Sequence, residues 1–396
     1  MALSFLKRTG TGTVIRTLLV LLLLLPVWMY IAWLCAPKRE LVIAIIDKTV
    51  LNTKDQEHVS LNWVLDQEKF TKDGRQLYKS GKDYYGFFPL EGKRYELHGL
   101  EEFSTERLDR LAVDADVMYI TDAYGIFRNE WLKEGDAKER SGIVYGGLSQ
   151  QDFYLLKQMR DKKKLLITEF NCLASPTPPA VRAEFENLFG VRWTGWIGRF
   201  FSSFDTTVNK ELPKWLISNY KQQHNGAWPF SKPGIAFIHS DDTVVILEEG
   251  SGLETTVPYI YSTADARKKY GLPEKIPYSF WFDIVQPDPR VNKILSSYQI
   301  ETTAKGKEEL NRHGLPASFP AVTAHIADDY RFYYFSGDFA DAPVSVFSSH
   351  FKGIGAFKRF MFNPHDEQDR RGFFWSFYRP LVTSVLNDYY SKIKPD

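Results

Sequence analysis

Residues 18–36 (LLVLLLLLPVWMYIAWLCA) are an uncharged, almost wholly apolar stretch, and shorter apolar runs of strand length follow it. At a helical rise of 1.5 Å per residue the stretch covers about 28 Å, close to the hydrocarbon thickness of a bilayer. A transmembrane helix over residues 17–36 is therefore expected. Trp28, Tyr30 and Trp33 crowd its C-terminal half, where amphipathic rings favour the membrane interface. Pro26 is tolerable in a spanning helix. A basic start and a Leu-rich core also fit a cleaved signal peptide. The exit from Tyr30 to Pro37 offers no small-x-small cleavage site, however, which favours an uncleaved anchor in contact with membrane lipid. Lys7, Arg8 and Arg16 precede the run, and Lys38, Arg39, Lys48 and Lys54 follow it, so charge counting alone does not orient it. A short basic tail before a first helix stays inside, which places residues 1–16 in the cytoplasm and residues 40–396 outside it.

Within the body, residues 41–46 (LVIAII) form a continuous apolar run that ends in Asp47. Residues 116–121 repeat the pattern and end at Asp122, and residues 164–168 repeat it again before Glu169. Unbroken runs of this kind belong to strands buried on both faces of a parallel sheet. Between the last two, Ser149 and Asp152 have the spacing of a capping box at the start of a helix running to about Asp161. A second helix opens at Thr177-Pro178-Pro179 and stops at Gly190. Residues 211–223 have helical spacing as well. After Trp228, residues 234–238 and 243–247 flank His239-Ser240-Asp241-Asp242 and read as a hairpin. Residues 256–261, 278–285, 298–303, 321–326 and 331–335 are further strands. A last helix over residues 372–390 is expected to kink at Pro380.

The fold class expected is α/β. It comprises a mostly parallel sheet flanked by helices (residues 41–190), a β-rich part (191–370), the C-terminal helix, and one N-terminal transmembrane helix in front. Whether the β-rich half extends the first sheet or builds another is open.

Fifty Lys and Arg against 49 Asp and Glu leave no field to attract nucleic acid. Two cysteines, Cys35 and Cys172, supply no disulfide framework. Aromatics make up 15% of the chain, and its aromatic-rich loops (residues 83–88, 193–196 and 225–228) could stack against sugar rings or plug the core.

Ligands of open parallel sheets bind beyond the carboxyl ends of the strands. Asp47, Asp122 and Glu169 end three of them, accompanied by Lys48, Thr49, Tyr124 and Asn171. Asp338 in Ser336-Gly337-Asp338 joins them if its strand lies in the same sheet. Asp122 and Glu169 are the candidate acid/base pair; Asp47, Lys48, Tyr124, Asn171 and Asp338 are candidate binding residues. Turn chemistry explains the same residue types, since Asp and Asn favour strand ends. His239-Ser240-Asp241-Asp242 lacks a second histidine pair, so no metal site is expected. HExxH, CxxC, P-loop, GxGxxG and GxSxG patterns are absent, and no cofactor is expected.

The segment Thr168-Glu169-Phe170-Asn171-Cys172-Leu173-Ala174-Ser175-Pro176 places a cysteine just after a strand. With the alternating elements of residues 41–190, it resembles the class I glutamine amidotransferase-like superfamily. That resemblance implies a flavodoxin-like fold more than an activity, with Cys172 either a buried packing residue left from the family's elbow or its nucleophile. Phe170 and Ala174 stand where that family's elbow has glycines, and no His-x-Glu follows. The functional expectation is a membrane-anchored binding or accessory component of cell-envelope glycan assembly or handling. A glycan-acting hydrolase or transferase is the alternative, and a thiol amidotransferase the second one. Protein partners are left unassigned.

Overall fold

The computed structural model describes residues 16–17, 19–52, 56–132 and 142–394. The expected cytoplasmic tail lies outside the described residues up to residue 15. The apolar run forms helix α1 (Leu25–Cys35). Helical bonds from Trp28 N–H to Leu24 O and from Leu24 N–H to Val20 O lie on either side of its start. Pro26 has no N–H to donate to the preceding turn, which is where the helix is interrupted. Among the described residues no helix is long and apolar enough to cross a membrane, so the spanning helix expected over residues 17–36 is without support here. The end of α1 docks on the body. Trp33 is buried, its Nε1 donates to Asp66 O at 2.9 Å, and Lys69 Nζ lies 3.4 Å over its ring. Leu19–Leu24, Val27, Trp28, Ile31 and Leu34 remain exposed.

The apolar runs become strands β1 (Ile43–Asp47), β2 (Tyr85–Leu90), β3 (Arg94–Leu97), β4 (Val117–Asp122) and β5 (Leu165–Glu169). Next come β6 (Val191–Phe201) and the hairpin β7 (Gly234–His239) and β8 (Val244–Glu248). The second half continues with β9 (Tyr259–Ser262), β10 (Lys275–Pro277), β11 (Trp281–Pro287), β12 (Lys293–Gln299), β13 (Ser318–Ile326) and β14 (Arg331–Phe335). A ten-stranded sheet has the order β10-β9-β12-β13-β14-β5-β4-β1-β2-β3, and a four-stranded sheet the order β8-β7-β6-β11. The β-rich half thus both extends the first sheet and builds a second one.

The large sheet is mixed rather than mostly parallel. β14, β5, β4, β1 and β2 pair in parallel, while β10, β9, β12 and β13 add on antiparallel at one end and β3 at the other. Short connections such as the one between β13 and β14 permit only antiparallel neighbours, whereas parallel pairing needs a crossover.

The parallel strands alternate cleanly between two cores. Ile43, Ile45, Val117, Tyr119, Leu165 and Ile167 point to one side; Ala44, Ile46, Met118, Ile120 and Leu166 point to the other. Helix α2 (Val59–Gln67) and the C-terminal helix cover the first side through Leu61, Val64, Leu381, Val385 and Leu386. Helices α3 (Thr105–Asp114), α4 (Gln150–Asp161) and α5 (Pro179–Phe189) cover the second through Leu108, Leu155, Met159, Phe185 and Phe189. Helix α6 (Lys214–Gln223) packs on the small sheet. The Ser149/Asp152 capping box forms as its spacing predicts, and Gly190 ends α5 at φ 64°. The C-terminal helix runs through Arg370–Phe373, a π-helical turn Phe374–Tyr378, and α7 (Arg379–Ile393). The wide turn directly before Pro380 takes up the missing N–H where a kink is expected.

Three segments need correction. Residues 85–88 and 193–196, read as loops, lie in β2 and β6. In β6 the register on β11 shifts between Trp193 and Ile197 around Gly195, a bulge that masks the alternation. Residues 300–303 follow β12 rather than forming a strand.

Candidate functional site

Beyond the carboxyl ends of β1, β4, β5 and β14 lies a cleft of about 680 Å³, bounded on its other side by the small sheet. Glu57, Asp122, Asn171, Asp338 and Asp341 form the acidic wall. Phe170, Trp193, Trp215, Phe280 and Trp281 form an aromatic wall, with Arg199, His239 and Ser240 among them. The two walls meet at a backbone seam. Asp338 N–H donates to Trp281 O at 3.2 Å, Asp283 N–H donates to Ser336 O at 3.0 Å, and Phe282 bridges to Gly337. A Cβ at Gly337 would stand 2.5 Å from Tyr298 Oη and 2.3 Å from the Phe339 ring, so only glycine fits at the seam.

Asp122 ends β4 and is buried but for the 4% of its surface left exposed. Its Oδ1 accepts from Tyr124 N–H at 2.5 Å, and Thr49 and Asn171 also hydrogen-bond to it. Burial is the main reason its carboxyl is pushed up to about 7, with the nearby Asp47 charge adding to it. Burial also drives Glu57 and Asp338 well above the ordinary range, reinforced in both by Asp341 and Asp122. Asp341 pairs with Arg370 at 3.0 Å, and Arg199 pairs with Glu211 at 2.8 Å.

Asp47 supports this wall from behind without lining the cleft. Its Oδ2 accepts from Glu57 N–H at 3.0 Å and lies 2.6 Å from His58 Nδ1, while Oδ1 accepts from Thr49 N–H at 3.1 Å. His58 Nε2 lies 3.0 Å from Ser80 O. The carboxylate therefore pins the loop that delivers Glu57.

Lys48, expected to bind ligand, turns into the protein instead. Its Nζ contacts Glu101, Asp152 Oδ2 at 2.5 Å and Gly147 O at 3.0 Å. Burial alone would lower this ammonium, but Asp152 and Glu101 outweigh it and hold the group above its usual range.

Glu169 also faces inward. Its Oε1 accepts from Tyr119 Oη at 2.5 Å, and its Oε2 accepts from Phe339 N–H at 2.8 Å and Ala340 N–H at 2.9 Å. Burial raises it to about 8. Asp122 and Glu169 sit at neighbouring strand ends, but only Asp122 faces the cleft. Cys172 is fully buried among Leu173, Val181 and Phe185. Burial and the charges of Asp122 and Asp283 push its thiol far above the normal value, the opposite of what an activated nucleophile needs.

Asp122, Tyr124, Asn171 and Asp338 thus line one cleft, while Asp47, Lys48, Glu169 and Cys172 lie outside its lining. Sequence reading did not single out Glu57, Asp341 or Arg199. A carboxylate in the loop after a central parallel strand is the one signal that pointed to Glu57. The His239–Asp242 turn closes a hairpin as expected, and its first two residues also line the cleft. Gly195, at φ 90°, admits the His239 ring: a Cβ there would lie 2.5 Å from Nε2.

No family model matches the chain, and no curated protein matches it. Among solved structures it is similar to a glutamine amidotransferase from Thermotoga maritima. That pair shares 8% identity and a TM-score of 0.36, covering 88% of this chain and 98% of the other. A ThuA-like protein from Bacteroides uniformis gives 10% identity, a TM-score of 0.33 and coverage of 85% and 96%. A β-galactosidase from Bacillus circulans gives 10% identity and a TM-score of 0.27, covering 58% of this chain and 22% of that enzyme. The chain spans less than a third of the β-galactosidases and of the carbohydrate deacetylase Agd3 that it matches.

Proposed function

We propose that this chain binds carbohydrate in the cleft between its two sheets, as a binding or accessory component of cell-envelope glycan assembly or handling. The observation that carries the reading is that Trp281, Phe280 and Trp193 line the same open cleft as Glu57, Asp122 and Asp338. Sugar rings present an apolar face that stacks on aromatic side chains and an edge of hydroxyls that donate to carboxylates. Asn171, Arg199 and Ser240 supply further polar partners for such an edge.

Membrane attachment through residues 17–36 belongs to the same proposal. Its support is the uncharged run itself and the exposure of Leu19–Leu24, Val27 and Ile31. Beside the docked end of α1, Phe347 is exposed, and Lys352 N–H donates to Met29 O at 3.0 Å. An apolar ring next to a basic residue suits a lipid interface. An N-terminus in the cytoplasm and a body outside remain the proposed orientation.

The raised carboxyl of Asp122 favours a second reading, a glycan-acting hydrolase or transferase with Asp122 as the acid. Its partner would be Glu57 or Asp338 rather than Glu169, whose two oxygens are held by Tyr119 and by backbone N–H groups.

The test is an oligosaccharide panel titrated against the full chain in detergent, followed by intrinsic tryptophan fluorescence and by reducing-end release. Saturable binding abolished in Trp281→Ala and weakened in Asp122→Asn is the expected result. Sugar release lost in Asp122→Asn would establish the catalytic reading. Binding indifferent to both substitutions, or no binding at all, would overturn the proposal.

A further inference from the structure

We infer that Glu57, Asp122 and Asp338 form a binding site for a divalent cation of the calcium class on the floor of the cleft. The three residues come from separate segments: the loop before α2, the end of β4, and the turn after β14. One carboxylate oxygen from each nevertheless lies within 4.8 Å of the other two. Magnesium demands near-ideal octahedral geometry and is usually held by only one or two protein carboxylates, whereas calcium accepts several carboxylates in flexible geometry, so a cluster of three from separate segments suits calcium better. The donors are all hard oxygens, which suit calcium, magnesium or manganese and not zinc or copper.

A second observation points to a ligand at the same place. Asp338 is 7% exposed, lines the cleft, and its Oδ1 has no hydrogen-bond partner. An enclosed carboxylate oxygen without a partner is costly, and a bound cation satisfies it. The neighbouring bases are engaged elsewhere: Arg370 with Asp341, Arg199 with Glu211, and His58 with Asp47. Among the described residues, no Lys or Arg forms an ion pair with Glu57, Asp122 or Asp338. Asp47 and Glu169 buttress the triad from behind, fixing the Glu57 loop and the Asp338 turn through backbone N–H groups. A cation held there keeps open coordination positions toward the aromatic wall, where hydroxyl oxygens of a ligand can complete the shell.

Cation binding is read without sugar, so its failure is distinguishable from failure of the carbohydrate reading. The full chain is titrated with CaCl2 and MgCl2 by calorimetry, and with Tb3+ by luminescence sensitised through Trp281 and Trp193. One calcium per chain, bound more tightly than magnesium, is expected. Asp338→Asn and Glu57→Gln should each weaken it by about tenfold or more, while Glu106→Gln, exposed on α3 and outside the cleft lining, leaves it unchanged. If Asp338→Asn does not fold by circular dichroism, the half-buried Glu57→Gln decides alone. No saturable binding at millimolar calcium, or an affinity indifferent to Glu57→Gln, would overturn the inference.

Discussion

Glu169 Oε2 accepts a hydrogen bond from Phe339 N–H at 2.8 Å, and through it β5 holds the turn that carries Asp338. Ala340 N–H shares the same oxygen. Removing the acceptor leaves two buried amides unpaired, each costing about 1–3 kcal/mol. Glu169→Ala is expected to lose roughly 2–4 kcal/mol in urea unfolding, by that reasoning, and to weaken whatever binds at Asp338. Glu169→Gln keeps an acceptor for the amides and should recover most of the stability.

Acidic groups buried away from any cation make the protein sensitive to alkali. Burial raises Asp283 to about 7, its Oδ2 accepting from Tyr334 Oη and its Oδ1 having no partner. A folded pKa above the unfolded value gives stability that is complete below about 4 and lost as pH rises through about 7. Glu169, at about 8, acts in the same direction. Wild type should therefore melt several degrees higher at pH 5 than at pH 8. Asp283→Asn should shrink that difference, whatever it does to the absolute Tm. An equal or larger difference in the variant would refute the assignment.

Lys48 is a structural ammonium. Lys48→Met leaves Asp152 buried without its cation, a loss of about 3–5 kcal/mol. Lys48→Met/Asp152→Asn should restore much of this in chemical denaturation, because the uncompensated charge is gone. If the double variant is no more stable than the single one, the pair is not coupled.

The two thiols should behave differently. Cys35 is exposed and Cys172 buried. A chromogenic disulfide reagent should titrate one thiol in the native protein and two in denaturant. Rapid native labelling at Cys172 would reopen the thiol-enzyme reading.

Much of the framework was legible because burial on both faces writes itself as uninterrupted apolar runs. Residues 41–46, 116–121 and 164–168 became β1, β4 and β5 nearly as marked, and the Ser149 cap and Gly190 stop were local chemistry. What escaped was non-local. Gly195 breaks the alternation of β6, and the aromatic pair Tyr84–Phe88 reads as a loop although its rings stack at 4.1 Å beside the core. Strand ends placed Asp122 and Asp338 in one region, but the direction of each side chain depends on partners far away in sequence. Lys48 faces Asp152, and Glu169 faces Phe339, for reasons no local pattern contains. Glu57 sits in a loop whose position is decided by Asp47.

Gly195 carries a cost that can be measured. Gly195→Ala forces φ 90° on a residue with a Cβ and drives that carbon against the His239 ring, so about 1–3 kcal/mol should be lost. The displaced imidazole would also alter ligand affinity, whereas Gly271→Ala, with open space around it, pays only for its φ.

Because Trp281 and Asp338 are joined main chain to main chain, the two walls share one hinge line and cannot slide past each other there. Any change in the width of the cleft must come from elsewhere along its lining, which also includes Lys210, Lys214 and Trp215. For the carbohydrate proposed above, the seam would then be a fixed gauge that every guest meets alike, leaving discrimination among longer chains to the rest of the lining.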